Sequence, residues 1–227
     1  MENLPLYISV IFGLTTLLTV YFFYKASNYS KITLLILLAY LVIQSFIGIS
    51  GFYTVTNTIP PRFILLFLPP LLLMIGLFVT KKGRKYIDHL DVKPLTILHI
   101  IRIPIEIVLF CLFMHKVVPE LATFEGRNFD ILSGITSPFI YYFGFVKKKL
   151  NKNIILLWNF ICLGLLINIV TYAVLSAPFP FQQFAFDQPN IAVLYFPFNL
   201  LPAIVVPLVL FSHLVVIRRI LKGKFKN

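Results

Sequence analysis

Seven apolar stretches run along the chain, separated by short polar loops. Most have the ~17–25 residues that a helix needs to cross about 30 Å of membrane hydrocarbon. The pattern predicts an all-α bundle of seven transmembrane helices that forms one domain over residues 1–227. The stretches are Leu4–Tyr24, Ile32–Phe52, Phe63–Thr80, Leu95–Val117, Phe129–Val146, Asn153–Ser176 and Ile191–Ile217.

The basic residues fall almost entirely in alternate loops. Of the 20 Lys and Arg residues, only Arg62, Arg102, Lys116 and Arg127 lie away from one side of the bundle. Because cytoplasmic loops carry the excess of Lys and Arg, this pattern predicts an outside N-terminus and a cytoplasmic C-terminus. The first basic residue, Lys25, follows the first apolar stretch, so we expect that stretch to be retained rather than cleaved as a signal peptide.

The composition also indicates a membrane protein. Hydrophobic residues make up 59% of the chain and charged residues 12%, with a mean hydropathy of +0.92, whereas soluble domains are about 45–50% apolar and about 25% charged. The net charge of +12 does not indicate nucleic-acid binding, because the basic residues lie near helix ends, where anionic lipid headgroups are found. Membrane lipids are therefore the expected partners. A homo-oligomer or a membrane partner subunit is left open.

Several chemistries lack their motifs in this sequence. It has no Walker-type phosphate loop, no H-E-x-x-H and no C-x-x-C, and its longest connections, such as Lys81–Pro94, are too short to hold a folded domain. His99 and His213 fall at similar depths and could together hold a haem or a transition metal, but two histidines specify neither. The sequence thus predicts no catalytic residue, no metal and no cofactor.

The fourth apolar stretch contains the main candidate site. His99, Arg102 and Glu106 are spaced i, i+3 and i+7, which places them on one face of a helix. Charges near the bilayer centre are costly unless paired, so we expect this face to point into the bundle, with Arg102 paired to Glu106. The pair is either a lock between helices or a proton- or solute-binding centre. Polar residues at matching depths on other helices are candidate hydrogen-bond partners: Gln44, Thr136 and Asn168.

The outer loop after this stretch is the second candidate. Glu125, Arg127 and Asp130 follow one another closely, with little ordinary loop sequence before the next apolar stretch. This density predicts a shaped, partly re-entrant element. The functional interpretations are an external cation site or an entrance that selects solutes. The alternative is a local network of these three residues, with Asp130 capping the next helix.

The same region carries a resemblance to known sequences. The run Arg102…Val118-Pro119…Gly126…Asp130-x3-Gly134-x2-Ser137 resembles a pattern in a broad group of uncharacterised bacterial multi-pass inner-membrane proteins. In that group, an arginine-bearing helix leads through a Leu/Val-Pro turn and a Gly/Asp loop into an Asp-x3-Gly helix start. This chain departs from the pattern at Glu125–Asp130, where the group has a shorter Gly-x-Gly-Asp. The resemblance implies a bacterial inner-membrane location and transfers no activity.

Three functions follow from these patterns. The leading hypothesis is a small carrier or channel-like protein that moves a proton-linked solute, with Glu106 as the proton site and Arg102 as its counter-charge. The alternatives are a membrane-embedded enzyme acting on a lipid or quinone, and a non-catalytic sensor or subunit of a membrane complex. A polar core open to one side would favour transport, a groove opening to lipid the enzyme, and a dry, sealed core the subunit.

Overall fold

The computed structural model describes residues 4–225, and within that range it contains helices and no strands. The all-helical fold is therefore confirmed, while the expectation for the N-terminal residues Met1–Asn3 lies outside the described range. Each of the seven apolar stretches contains a helix. The α-helices are α1 (Leu6–Ala26), α2 (Lys31–Ile49), α3 (Ile64–Val79), α4 (Lys81–His89), α5 (Val92–Leu98), α6 (Arg102–Met114), α7 (Ile131–Tyr141), α8 (Lys152–Leu175) and α9 (Val206–Leu221).

Five helical segments are long and apolar enough to cross a membrane. They are Leu6–Ala26, Lys31–Ile49, Val92–Met114, Lys152–Leu175 and Leu201–Leu221. The remaining two apolar stretches form shorter helices, α3 with 16 residues and the segment Ile131–Val146. If α3 and α4 are counted as one broken span, the number rises to six. Helix length therefore accounts for five or six of the seven predicted crossings.

The outer surface of the first three helices is apolar. Leu14 of α1 is 62% exposed, Leu35 of α2 is 69% exposed and Leu73 of α3 is 58% exposed, and many neighbouring Leu, Ile and Phe side chains are exposed with them. Soluble monomers rarely expose apolar patches larger than a few hundred Å². This surface is compatible with a membrane protein whose outer helices contact hydrocarbon.

A sharp bend separates α3 from α4, in a region that the sequence pattern had assigned to a loop. The two helix axes differ by 95°. The Thr80 side chain caps α4 by accepting a hydrogen bond from the Gly83 amide. A Cβ atom on Gly83 would lie 2.4 Å from the Leu77 carbonyl oxygen, so the chain can fold back this tightly only at a glycine. As a result, α4 runs nearly at right angles to α3 from the C-terminal end of α3.

Prolines interrupt the helices that form the centre of the bundle. Pro104 has no N–H to donate to the Ile100 carbonyl, and a 3₁₀ turn over His99–Ile101 separates α5 from α6. A π-helical turn over Tyr142–Val146 extends α7, which contains Pro138. Another, Leu201–Val205, leads into α9. Irregular turns of this kind are frequent at functional sites.

The broken helix α5–α6 lies at the centre of the packing. α5 contacts α1, α7 and α9, and α6 contacts α1 and α7. α8 packs against α9, and α2 packs against α1 at the edge of the bundle. Three different helices therefore surround the segment that bears His99, Arg102 and Glu106.

Candidate functional site

Arg102 forms a buried ion pair with Asp130. One guanidinium nitrogen of Arg102 contacts the Asp130 Oδ1 atom, and the two residues are 2% and 5% exposed. Arg102 lies near the middle of the segment Val92–Met114, so Asp130 lies deep in the bundle and α7 begins there. The 120–130 loop thus enters the bundle from one end, which agrees with the re-entrant element expected from the sequence.

The next turn of α6 contacts the same loop. The Asn128 side-chain amide donates to both carboxyl oxygens of Glu106, at 2.7 Å each, and also to the Ala122 carbonyl at 3.1 Å. Asn128 Oδ1 in turn accepts a hydrogen bond from the Asp130 amide at 3.0 Å. Arg102 and Glu106 are both buried on the side that contacts this loop. Their direct ion pair, expected from the i, i+4 spacing, is wrong, because each side chain has its own partner in the loop.

His213 of α9 connects this site to α8. Its Nδ1 atom lies 2.9 Å from Asn159 Oδ1, and its Nε2 atom lies 2.9 Å from an Arg102 guanidinium nitrogen. An amide oxygen only accepts and a guanidinium only donates, so the imidazole is neutral and carries its proton on Nδ1. A second proton, on Nε2, would displace the Arg102 N–H from this contact.

His99 stacks on His213 and has no side-chain hydrogen bond to any residue in the range 4–225. The two rings are 3.9 Å apart between centroids and 13° from parallel, and the Trp158 ring contacts His99 with a centroid separation of 5.5 Å. Both His99 nitrogens, and Arg102 Nε, are buried without a hydrogen-bond partner among the described residues. The stacked rings do not converge on a common metal position in this arrangement, and both His213 nitrogens already have hydrogen-bond partners.

We call the buried set of seven side chains the Arg102 centre. Its members are His99, Arg102, Glu106, Asn128, Asp130, Asn159 and His213. All seven are at most 5% exposed. Within residues 4–225, no group of three or more His, Cys, Asp or Glu side chains is arranged to hold a metal ion. The centre contains one guanidinium and two carboxyl groups.

Gly134 allows α7 to approach the Arg102 centre closely. A Cβ atom at this position would lie 3.1 Å from the Ile103 backbone nitrogen and 3.3 Å from Arg102 Cβ. Ser133 and Ser137, on the same helix, are fully buried. These positions belong to the Asp-x3-Gly-x2-Ser run of the sequence, whose glycine is needed here for close helix packing.

Three candidates from the sequence lie outside the centre. Gln44 belongs to a separate buried cluster, where it accepts from the Tyr53 hydroxyl at 2.6 Å and donates to the Tyr40 hydroxyl at 3.0 Å. Asn168 of α8 donates to the Arg127 carbonyl at 2.8 Å. Thr136 of α7 accepts from the Trp158 indole N–H at 2.8 Å.

The local network considered as the alternative for the outer loop does not form among the described residues. Arg127 donates to the Tyr172 hydroxyl at 2.8 Å, and Glu125 is exposed, with no ion pair to another described residue. Asp130 makes no side-chain cap at the start of α7, because its carboxylate is engaged by Arg102. Glu125 and Arg127 therefore lie outside the Arg102 centre, and only Asp130 belongs to it.

Sequence reasoning missed several members of the centre. Asn128 and Asn159 were not candidates, and His213 was considered only as a metal ligand. Asn159 carries the same signal as Asn168, an amide within an apolar helix, so it could have been found. Asn128 lies between the candidates Arg127 and Asp130, but its contact with Glu106 cannot be inferred until the loop is known to enter the bundle.

An apolar groove of about 330 Å³ lies between α3, α8 and the start of α9. Phe67, Val170 and Leu210 are among its lining residues, and no Lys, Arg, His, Asp or Glu lines it. Asn190 supplies a buried amide oxygen at one end that has no hydrogen-bond partner among the described residues. The groove could hold a hydrocarbon chain, but it contains no group suited to acid–base or nucleophilic chemistry.

Comparison with known proteins identifies a family and no activity. A family model described as a domain of unknown function (DUF8737) matches residues 59–221, well over half of the chain. No curated protein and no solved structure matches this chain. The matched range contains every residue of the Arg102 centre and leaves out α1, α2 and Gln44.

Proposed function

The chain belongs to the DUF8737 family of unknown function, and we propose that it is a bacterial inner-membrane protein that moves a small solute together with protons. In this proposal all seven apolar helices cross the membrane, with the N-terminus outside. The five long segments and the exposed apolar side chains support insertion. The basic loops support the orientation, since they hold nearly all of the Lys and Arg residues.

The orientation is tested by cysteine labelling in intact cells. In a background with Cys111 and Cys162 replaced by Ser, Asp187→Cys is expected to react with a membrane-impermeant maleimide from outside. Lys149→Cys is expected to react only after the membrane is permeabilised. Labelling of the second variant in intact cells, with protection of the first, would reverse the orientation.

One observation carries the transport proposal: the Arg102 centre holds two carboxyl groups and one guanidinium in a sealed site. Arg102 and Asp130 neutralise each other through their direct contact. Glu106 has no cationic partner and accepts only from the Asn128 amide among the contacts that the described residues provide. A lone carboxylate in this surrounding is strongly disfavoured, so Glu106 holds a proton in this closed state. It is the exchangeable proton site of the proposed cycle.

The same contacts suggest how proton movement is coupled to helix movement. The 128–130 segment contacts α6 through both Glu106 and Arg102. When Glu106 loses its proton, its new charge competes with Asp130 for Arg102 and weakens the contacts between α6 and the loop. The irregular turn His99–Ile101 directly precedes Arg102 along the chain and can absorb the backbone change.

A non-catalytic subunit or sensor is the second candidate, and the sealing of the centre favours it. All seven side chains are buried, and a static hydrogen-bonded core needs no access from either side. A lipid- or quinone-directed enzyme receives less support, because the groove that opens between α3 and α8 is lined by no ionisable side chain. The transport and subunit proposals differ in whether the centre opens.

Proton-driven charge movement tests the transport proposal directly. Proteoliposomes adsorbed on a solid-supported membrane are exposed to a pH step, and the wild-type protein is expected to give a transient current from proton binding. Glu106→Gln keeps the shape of the neutral acid but cannot exchange a proton, so its current should vanish. Glu125→Gln is the matched control, because Glu125 is exposed in the outer loop. Equal currents from both variants would contradict the proposal.

Cys162 reports opening independently of any current. It is 2% exposed on α8, beside Ser133, and Cys111→Ser leaves it as the single thiol. Repeated cycles across the imposed pH gradient should make Cys162 react with a small water-soluble thiol reagent, and Glu106→Gln should prevent this. If Cys162 stays protected in the wild-type protein, the centre is static and the subunit candidate is favoured.

A further inference from the structure

A strongly basic cavity lies at the end of the bundle where α4 meets the end of α9. Its volume is about 480 Å³. Six cationic side chains from two distant parts of the sequence line it: Lys81, Arg84, Lys85, Arg218, Lys222 and Lys224. The positive-inside pattern requires basic residues on this side of the membrane but does not require them to converge on one cavity.

The positive charge of the cavity is only partly neutralised. Among the residues that the structure describes, Asp88 is the one acidic residue of the cavity. It accepts from Lys224 Nζ at 2.5 Å and lies 3.7 Å from an Arg218 guanidinium nitrogen. These cations hold the pKa of Asp88 below its ordinary value, mainly through the Lys224 hydrogen bond. The ammonium groups of Lys81, Lys85 and Lys222 have no partner among the residues that the structure describes.

The helix geometry adds to this positive potential. α4 begins with Lys81 and Lys82 and has no acidic residue in its first turn. The N-terminal end of a helix carries a partial positive charge and normally attracts acidic groups, so lysines there are unfavourable unless an anion is present. The tight bend at Gly83 fixes α4 across the end of α3. α4 contacts α9, and Asp88 near the C-terminal end of α4 contacts Arg218 and Lys224.

We propose that this cavity binds a phosphate-bearing anion, and that the anion is the headgroup of an anionic membrane phospholipid. Basic pockets of this kind at the cytoplasmic ends of transmembrane helices suit lipid phosphates. The lining residues of the cavity are all ionisable, so the cavity would hold the phosphate group, with the glycerol and acyl chains outside it in the bilayer. This site is separate from the Arg102 centre and does not depend on proton transport.

The experiment compares two matched triple variants. Lys81→Gln/Lys85→Gln/Lys222→Gln removes the unpaired cations of the cavity. Lys147→Gln/Lys148→Gln/Lys149→Gln removes three exposed lysines outside the cavity. They lie near the same end of the bundle, because the preceding residue Phe145 contacts Phe225, which follows α9. Both variants lose the same net charge, so a general electrostatic effect would change them equally.

Binding is measured by native mass spectrometry and by the thermal shift of the purified full-length protein. The probes are phosphatidylglycerol, phosphatidylcholine and inorganic phosphate. Phosphatidylglycerol should bind the wild type and the 147–149 variant alike, and the cavity variant at least roughly tenfold more weakly. Melting temperatures without lipid establish that the cavity variant is folded.

Each outcome decides the proposal. A thermal shift with phosphatidylglycerol that is lost only in the cavity variant supports a lipid headgroup as the ligand. If only inorganic phosphate gives such a shift, the phosphate site is supported but its ligand is a soluble anion. Equal binding to phosphatidylcholine, or equal losses in the two triple variants, would overturn the site, because the charges would then act only as a general basic surface.

Discussion

Two buried polar clusters in this protein have similar burial and opposite character. In the neutral cluster, Gln44 is hydrogen-bonded to Tyr40 and Tyr53, which are four and nine residues away in sequence. In the Arg102 centre, Arg102 contacts Asp130 and His213, which are 28 and 111 residues away. The neutral cluster also reaches other parts of the chain, since the Tyr40 hydroxyl donates to the Leu66 carbonyl and the Asn199 side chain donates to the Gln44 carbonyl. Only the Arg102 centre joins separate helices through charge. Charge therefore distinguishes this candidate functional site from the neutral interhelical contacts.

The ion pair of the Arg102 centre gives the largest predicted effect. Arg102→Met leaves the buried Asp130 carboxylate unpaired, and Asp130→Asn leaves the buried Arg102 guanidinium unpaired. Each variant should lower the free energy of unfolding by about 3–5 kcal/mol. The double variant should lose less than the sum, since it leaves no charge stranded. A double-mutant cycle from unfolding in detergent measures this coupling. Additive losses would mean that Arg102 and Asp130 are not energetically coupled.

The close approach of α7 gives the next effect. Gly134→Ala places a methyl group about 3 Å from the backbone of Ile103, which should destabilise the fold by about 1–3 kcal/mol through overpacking. Gly164→Ala on α8 is the control, because nothing lies within 4 Å of its added methyl. That variant should gain up to about 1 kcal/mol from helix propensity. Similar unfolding midpoints for the two variants would argue against close packing at Gly134.

The neutral cluster should respond more weakly. Tyr53→Phe removes the hydroxyl that donates to Gln44 Oε1 and should cost about 1–2 kcal/mol of unfolding free energy. It should leave the pH-step current of the proteoliposomes unchanged, because no group in this cluster exchanges a proton in the proposed cycle. A large loss of current in this variant would remove the functional distinction between the two clusters.

The surface contact of Asp88 should give the smallest effect. The pKa of Asp88 is lowered in the folded protein by Lys224, so its contribution is present above the ordinary pKa of an aspartate. It is lost as the pH falls through the lowered value. Since Lys224 is largely exposed, the difference between wild type and Asp88→Asn should be at most about 1 kcal/mol. Unfolding midpoints measured across acidic pH should converge at the lowest pH.

The helices could be predicted from the sequence, because hydrophobic runs of membrane length leave the backbone few alternatives. All seven stretches contain a helix, but two of them are shorter than expected. Phe129–Val146 gives a short helix because Asp130 lies deep in the bundle, at Arg102. The sequence predicts a loop at Lys81–Pro94 because α4 has only nine residues and little apolar character.

The partners in the candidate site could not be predicted in the same way. Helical spacing gives only local neighbours, so Glu106 was the natural partner for Arg102. The observed partner, Asp130, arrives through a loop whose path depends on Gly126, where a Cβ atom would lie 2.3 Å from the Glu120 carbonyl oxygen. The stacking of His99 on His213 depends on how α5 packs against α9, and hydrophobic periodicity carries no information about that packing.

The shortness of α3 has a consequence for the membrane itself. Its 16 residues extend about 24 Å along the helix axis, less than the ~30 Å of a typical hydrocarbon layer. If α3 crosses the membrane as proposed, a bilayer around this flank would thin locally or deform. Lipid headgroups would then lie closer to the bend at Gly83 and to the basic cavity beside α4. The proposed headgroup site and the thinned flank would share one edge of the protein.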